Sequence, residues 1–210
     1  MTDLPDWYDD LDGTLDNALA ELSAAVSDRG HGFRTFTLAS IGPEGAPSAR
    51  IVVLRAVDAP RRQLRFHTDL RSEKVDQLAK NDLVSMVFYD KARKLQLRVN
   101  GRAAVKSIAE GDGDDLAAQA FAASQPMSRE CYRVEPGSGS IIDAPDGYSH
   151  AAVSDREDGD VLTDPGAEHF AAVVVTFDVI EVLYLAAEGH RRSRFEWSDG
   201  GAFQGVWLTP

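Results

Sequence analysis

The chain has 210 residues, of which 43% are hydrophobic and 27% charged, and its formal net charge is −12. This length and apolar content suffice for one well-packed core with a peripheral helical layer. A surface this acidic repels nucleic acid and anionic membranes, so we expect neither as a partner, and any bound phosphate must lie in a local basic pocket. The N-terminus lacks the basic and apolar regions of a signal peptide, and the longest apolar run, 170–177, is too short to span a bilayer. A cytoplasmic location is therefore expected.

Hydrophobic periodicity predicts an amphipathic helix over residues 13–27, after which strand patterns dominate the chain. Residues 136–165 are rich in Gly, Pro, Ser and Asp and are expected to form an irregular surface excursion. No βαβ rhythm is present, so residues 1–210 are interpreted as one mainly β domain, an antiparallel barrel with short peripheral helices. In chain order, the predicted strands cover residues 34–41, 48–57, 63–68, 83–89, 94–106, 171–185, 192–197 and 203–208, with helices over 72–80 and 109–124.

The first segment that suggests chemistry is an apolar strand with an arginine near each end, residues 49–55. Side chains alternate between the two faces of a strand, so Arg50 and Arg55 are expected on opposite faces unless a bulge intervenes. Taken alone, each arginine is more simply interpreted as a solvated strand end.

The second segment, residues 66–74, carries a strand into a helix. A helix N-terminus offers unpaired backbone N–H groups and the positive end of the helix dipole. Thr68, Arg71, Ser72 and Lys74 add hydroxyl and cationic donors around it, so the segment is a competent phosphate cradle. A capped helix with a solvated, charged first turn explains the same residues equally well.

The third segment is the strand over residues 95–101. Alternation places Gln96, Arg98 and Asn100 on one face and the aliphatic side chains on the other. A glutamine on a sheet face can both donate and accept hydrogen bonds toward a heterocycle such as a flavin ring. An ordinary polar outer face is the alternative.

Together, the order and spacing of these segments resemble the pyridoxamine 5'-phosphate oxidase family of FMN-binding split barrels, over about residues 34–105 and more weakly over 182–210. The resemblance implies a mainly β, antiparallel split β-barrel that binds FMN and forms a homodimer with FMN at the subunit interface. It assigns the FMN phosphate to Arg50, Ser72 and Lys74. The full implied cofactor-binding set is Arg50, Ile51, Val52, Val53, His67, Thr68, Ser72, Lys74, Gln96 and Arg194.

The chain departs from the family pattern at several positions. Of the family's R-x-H-x-R stretch, only the last arginine is retained, as Arg194, while His190 and Arg192 replace the substrate-binding arginine and histidine. Glu73 stands where family members have an arginine, and His67 where they have an aromatic hydroxyl.

The sequence thus predicts an FMN-dependent oxidoreductase whose substrate is unassigned. Arg55 and Arg192 are interpreted as residues that meet an anionic small-molecule substrate. Two alternatives stay open: a non-catalytic flavin-binding or flavin-sensing module, and a split barrel that uses heme or a deazaflavin. No metal site is predicted, because the five histidines form no cluster with metal-ligand spacing.

Overall fold

The computed structural model describes residues 4–108, 116–145, 163–198 and 202–210. Helix α1 (Leu11–Ser27) begins two residues before the predicted start, after Asp10, whose carboxylate accepts a hydrogen bond from the backbone N–H of Asp12. It packs Ala18, Leu22 and other small or aliphatic side chains of one face against the sheet.

Within the described residues, nine strands form one antiparallel sheet. Their order is β2-β1-β5-β6-β7-β4-β3, with β8 beside β7 and β9 outside β8. The fold is an antiparallel split β-barrel with short peripheral helices, which confirms the predicted class. The strands are β1 (Thr35–Ile41), β2 (Pro47–Val53), β3 (Ala56–Asp58), β4 (Gln63–Asp69), β5 (Leu83–Asp90), β6 (Leu95–Ser107), β7 (Phe170–Tyr184), β8 (Arg191–Trp197) and β9 (Phe203–Leu208), and the further helices are α2 (Glu73–Lys80), α3 (Leu116–Ala122) and α4 (Pro126–Glu130).

The prediction of one continuous strand over residues 48–57 is wrong, because the backbone changes partner in its middle. β2 pairs with β1 as far as Val53, and the Leu54 N–H then donates to the Arg34 carbonyl. The next N–H, of Arg55, donates to the Arg65 carbonyl, and β3 continues along β4. This crossing brings the two ends of the sheet together and places Arg55 beside Arg65.

The helical region after β6 also differs from the prediction. The predicted helix over 109–124 begins outside the described residues, and its described part, α3, ends at Ala122. Helix α4 was not predicted, although Pro126 in its first turn is a common helix start. Residues 136–145 contain no helix or strand, and residues 146–162 of the expected excursion lie outside the described residues.

Aromatic side chains fill the inside of the barrel. Phe36 and Phe88 stack with ring centroids 4.6 Å apart, and Phe33 and Phe66 meet them edge-on. All four rings are buried, which fixes the inward face of β1, β4 and β5. Among the described residues, no helix has the length and apolar character needed to cross a membrane.

Candidate functional site

Arg50 lies on the inward face of β2, at the end of the barrel where β1 leaves the core. Its guanidinium donates to the hydroxyl of the buried Ser40 (2.5 Å), to the Ser48 hydroxyl (2.8 Å) and to the Gln77 carbonyl oxygen (2.9 Å). These neutral acceptors hold the arginine in place without neutralising its charge.

Lys74, in the first turn of α2, lies beside this arginine. Its ammonium donates to the hydroxyls of Thr68 and Ser72, both at 2.9 Å, and both of these residues are buried. Burial lowers the pKa of Lys74, and the positive charge of Arg50 lowers it further, while Asp69 opposes the change. The site therefore holds two cations that repel each other among neutral donors.

These groups suit a phosphate monoester. A guanidinium offers paired N–H donors, an ammonium adds a point charge, and hydroxyls complete a set of donors for phosphate oxygens. Glu73 opposes such binding in part: it accepts a hydrogen bond from the Gln77 amide (2.8 Å), and its charge partly offsets the burial that lowers the pKa of Arg50. The donors present therefore fit the phosphate of FMN, and Arg50, Thr68, Ser72 and Lys74, which the sequence assigned to the cofactor, lie together.

Of the other residues assigned to the cofactor, all except Val52 lie on the outer face of the sheet. Ile51 and Val53 point outward from β2, whereas Val52 opposite Phe36 points inward. Gln96 on β6 lies in register with Leu183 on β7, and Leu183 in turn with Arg192 on β8.

Gln96, Arg192 and Arg194 thus share the outer face, but a single chain does not bring them to Arg50. β6 lies three strands from β2, which corresponds to about 14 Å across the sheet. Arg192 forms an ion pair with Glu181 at 2.7 Å, and Arg194 pairs with Glu196 at 3.2 Å. Arg192 lines a cavity of about 330 Å³ with Asp9, His190, Arg191, Trp207, Leu208 and Pro210.

Arg55 lines a different and larger cavity, of about 470 Å³, between β4, the end of α1 and the α3–α4 turn. Beside it lie Arg65 and His67, which alternation places together on the outward face of β4. Burial, followed by the charges of Arg55 and Arg65, lowers the pKa of His67 to about 3, so this imidazole is neutral at pH 7. The cavity lining is Val26, Arg29, Arg34, Thr35, Val53, Arg55, Arg65, His67, Ala120, Ala123, Ser124, Gln125 and Ser128.

The sequence interpretation missed Arg29, Arg34 and Arg65. Arg65 carried a usable signal, because it precedes His67 by two residues in a predicted strand and so shares its face. Arg34 and Arg29 carried none, since only the packing of α1 against the sheet brings them to the cavity.

Comparison with known proteins shows which domain the first half of the chain resembles. Residues 15–107 match the family described as "Pyridoxamine 5'-phosphate oxidase, FMN-binding domain", and this segment includes Arg50, Thr68, Ser72 and Lys74. This segment, a little under half of the chain, is similar to the FMN-binding domain of the pyridoxamine 5'-phosphate oxidase family. FMN is accordingly the cofactor that this domain is built to bind, as the sequence predicted.

Curated pyridoxine/pyridoxamine 5'-phosphate oxidases also match part of the chain. A pyridoxine/pyridoxamine 5'-phosphate oxidase of Paraburkholderia xenovorans (strain LB400) is 40% identical over 93 residues, which are 44% of this chain and 39% of that protein. Its counterpart in Granulibacter bethesdensis is 40% identical over 79 residues, or 36% of this chain and 37% of that protein. The similarity thus spans less than half the length of these relatives.

Solved structures extend the likeness in fold to the whole chain. A pyridoxamine 5'-phosphate oxidase-related, FMN-binding protein of Nostoc punctiforme PCC 73102 superposes with a TM-score of 0.74 at 20% identity, covering 100% of both chains. PhzG from Burkholderia lata 383, solved with tetrahydrophenazine-1-carboxylic acid, gives a TM-score of 0.69 at 21% identity, covering 100% of this chain and 99% of that one. At these identities the superpositions establish the split-barrel fold alone.

Proposed function

We propose that this protein is an FMN-dependent oxidoreductase that acts on a small anionic molecule. The observation that carries the proposal is the pair of cations Arg50 and Lys74, held by neutral partners inside the matched FMN-binding domain. Bound FMN supplies two-electron chemistry, and the protein supplies orientation and electrostatics.

Different residues of the chain bind different parts of the cofactor. Arg50 and Lys74 neutralise the phosphate, and Thr68 and Ser72, which already contact the Lys74 ammonium, direct their hydroxyls toward it. Gln96 hydrogen-bonds the isoalloxazine or the ribityl chain through its amide.

We also propose a homodimer with FMN at its interface. Ile51 is 65% exposed, and Val87 and Tyr89 are also exposed on the same outward face of neighbouring strands. An apolar face of this kind is typical of a protein interface. A two-fold axis through it would bring Gln96 and Arg194 of one chain toward the Arg50–Lys74 pair of the other, which explains their separation within one chain.

Anaerobic reduction of the bound flavin tests the proposed activity. The FMN-loaded protein is mixed with a panel of small anions that includes pyridoxine and pyridoxamine 5'-phosphates, and with NADH and NADPH, while the visible flavin spectrum is recorded. We expect at least one compound to bleach the flavin and oxygen to restore it. Failure of a broad panel to reduce bound flavin would count against catalysis.

A non-catalytic flavin-binding or flavin-sensing module is the second candidate. It is favoured by His190 and Arg192, which replace the family's substrate-binding arginine and histidine, and by the ion pair that ties Arg192 to Glu181. This candidate predicts bound FMN and no reduction by the panel. Mass spectrometry of the released ligand separates both candidates from a barrel that uses heme or a deazaflavin.

A further inference from the structure

Gln77, on the buried face of α2, connects this helix to the arginine of the phosphate site. Its carbonyl oxygen accepts a hydrogen bond from the Arg50 guanidinium at 2.9 Å and another from the Ser40 hydroxyl at 2.7 Å. The Ser40 oxygen in turn accepts from the Arg50 guanidinium at 2.5 Å. Gln77 and Ser40 are only 3% and 2% exposed. Arg50 is therefore held from the buried side by two neutral groups that also bond each other.

The other end of the Gln77 amide contacts Glu73, one helical turn earlier. The amide nitrogen donates to the Glu73 carboxylate at 2.8 Å. Residues four apart lie on the same face of a helix, so the exposed Glu73 reaches the buried amide. The reversed amide would place its N–H donors against those of Arg50 and its oxygen against the carboxylate, and both contacts would be repulsive. Glu73 thus fixes which end of the amide faces Arg50.

The neutral amide leaves the positive charge of Arg50 available to a phosphate. A carboxylate in direct contact with the guanidinium would form an ion pair and compete with the phosphate for its donors. The Glu73 charge acts on the arginine only through space, where it partly offsets the burial that lowers the pKa of Arg50. Glu73 therefore has two opposed effects on phosphate binding: it orients the amide, and its charge repels the phosphate.

We propose that Gln77 is a positioning residue for the FMN phosphate and that Glu73 positions Gln77 in turn. Gln77 holds the Arg50 guanidinium in the orientation that meets the phosphate, and Glu73 keeps the amide oxygen turned toward that guanidinium. Both act through Arg50 rather than by contact with the phosphate. The inference rests on the proposed function, since it concerns how the proposed cofactor is held. The sequence interpretation assigned no role to Gln77.

The affinities of the purified, ligand-free protein for FMN and for riboflavin, measured by flavin fluorescence, test this role. The two ligands differ only in the phosphate, so the ratio of their dissociation constants separates the phosphate contribution from general damage to the flavin site. Gln77→Met is expected to weaken FMN binding by about tenfold and riboflavin binding by less than about twofold. A role in packing alone would weaken both ligands to a similar extent.

A double-mutant cycle shows whether Gln77 acts through Arg50. In the Arg50→Ala background, Gln77→Met should leave FMN affinity unchanged, because no guanidinium is left to position. An equal loss in both backgrounds would overturn the inference, since Gln77 would then act on FMN independently of Arg50.

Two variants of Glu73 separate the orientation of the amide from the effect of charge. Glu73→Gln and Glu73→Met are both neutral, but only glutamine offers an acceptor to the Gln77 amide. We expect Glu73→Met to bind FMN about fivefold more weakly than Glu73→Gln. Glu73 is exposed, so this pair keeps the test decisive if Gln77→Met does not fold. Asp76→Asn and Asp76→Met, at an exposed carboxylate near the start of the same helix, are the matched control pair and should bind FMN equally.

Two further results would overturn the inference: an unchanged ratio of FMN and riboflavin affinities in Gln77→Met, or equal FMN affinities of Glu73→Gln and Glu73→Met. Failure of the proposed function is a separate observation. A wild type that binds FMN but whose flavin is never reduced lacks the activity and leaves the positioning role intact. A wild type without any preference for FMN over riboflavin has no phosphate site, and the positioning role falls with it.

Discussion

At the scale of single residues, Arg50 and Lys74 are two positive charges that the fold brings together. Neither forms an ion pair within the described residues, although the charges of Glu73 and Asp69 act on them. Their contacts go to Ser40, Thr68, Ser72 and other neutral groups. The resemblance to the family assigned Arg50, Ser72 and Lys74 to one phosphate, and the strand-to-helix turn over residues 66–74 adds recognisable donors. The sequence did not predict a functional position for Arg65, because an arginine in a strand is usually solvent-exposed. Only the packed fold shows that Arg65 lines a cavity.

Loss of either cation is expected to weaken FMN binding. Arg50→Ala and Lys74→Ala should each cost about 1.5–3 kcal/mol of binding free energy, because charge-assisted hydrogen bonds to the phosphate are removed. Flavin fluorescence quenching on titration measures the change. Lys80→Ala is the control, since Lys80 is exposed at the other end of the same helix. Unchanged affinity in both cation variants would refute the phosphate assignment.

The pKa of His67 predicts a dependence of stability on pH. Burial, Arg55 and Arg65 lower this pKa from 6.5 in the unfolded chain to about 3 in the folded protein. Between pH 6.5 and pH 3, His67 binds a proton in the unfolded chain but not in the folded protein. The free energy of unfolding therefore falls as the pH drops below about 6.5. His67 should account for about 1–2 kcal/mol of the unfolding free energy lost between pH 7 and pH 5.

Urea unfolding of the wild type and of His67→Gln at both pH values measures this contribution. The variant should lose less stability on acidification than the wild type, since its side chain does not titrate. His190→Gln, at an exposed histidine, should behave like the wild type. Equal losses in the wild type and in His67→Gln would show that the imidazole is not held neutral.

At the scale of elements, alternation and turn residues predicted most strands to within a few positions, because each strand buries one face. The break between β2 and β3 was not predictable in this way, since it depends on the hydrogen bonds that Leu54 and Arg55 make with distant residues. Helix α4 has only five residues, too few for a periodic pattern. The bulge between Asn100 and Gly101, where β6 shifts its register with β7, likewise depends on long-range contacts.

Gly101 is expected to be indispensable at that bulge. A Cβ there would lie 2.3 Å from the backbone carbonyl oxygen of Thr176, which cannot move without disturbing β7. Gly101→Ala should therefore lower the unfolding free energy by about 2 kcal/mol or more. Urea denaturation measures the loss, with Gly30→Ala as the control because a Cβ at Gly30 meets nothing closer than 3.4 Å. Equal stability of the two variants would contradict the close packing at the bulge.

At the scale of the whole molecule, the outer sheet face has an apolar half on β1, β2 and β5 and a polar half on β6, β7 and β8. The apolar half exposes Ile51, Val87 and Tyr89, and the polar half carries Gln96 and Arg194. Within one chain, Gln96 and Arg194 lie far from the Arg50–Lys74 pair. Under the proposed dimer, pairing of this face with a second copy would bring the two parts of the proposed FMN site together.

A charge on the apolar half should break the proposed dimer. Val87→Asp places a carboxylate at the centre of the face, where burial without a partner is unfavourable. Light scattering after gel filtration should give twice the chain mass of 22.8 kDa for the wild type and the single-chain mass for the variant. Met127→Asp, at an exposed position of α4, should remain dimeric. A monomeric wild type would remove the explanation offered for the separation of Gln96 from Arg50.

The most direct test of the central claim is titration of the purified, ligand-free protein with FMN. We predict saturable binding of one FMN per chain, a perturbed visible flavin spectrum, and a marked loss of affinity in Arg50→Ala. Binding that requires the phosphate should also discriminate strongly against riboflavin, which lacks it. No binding of FMN, or equal affinity for FMN and riboflavin, would contradict the account.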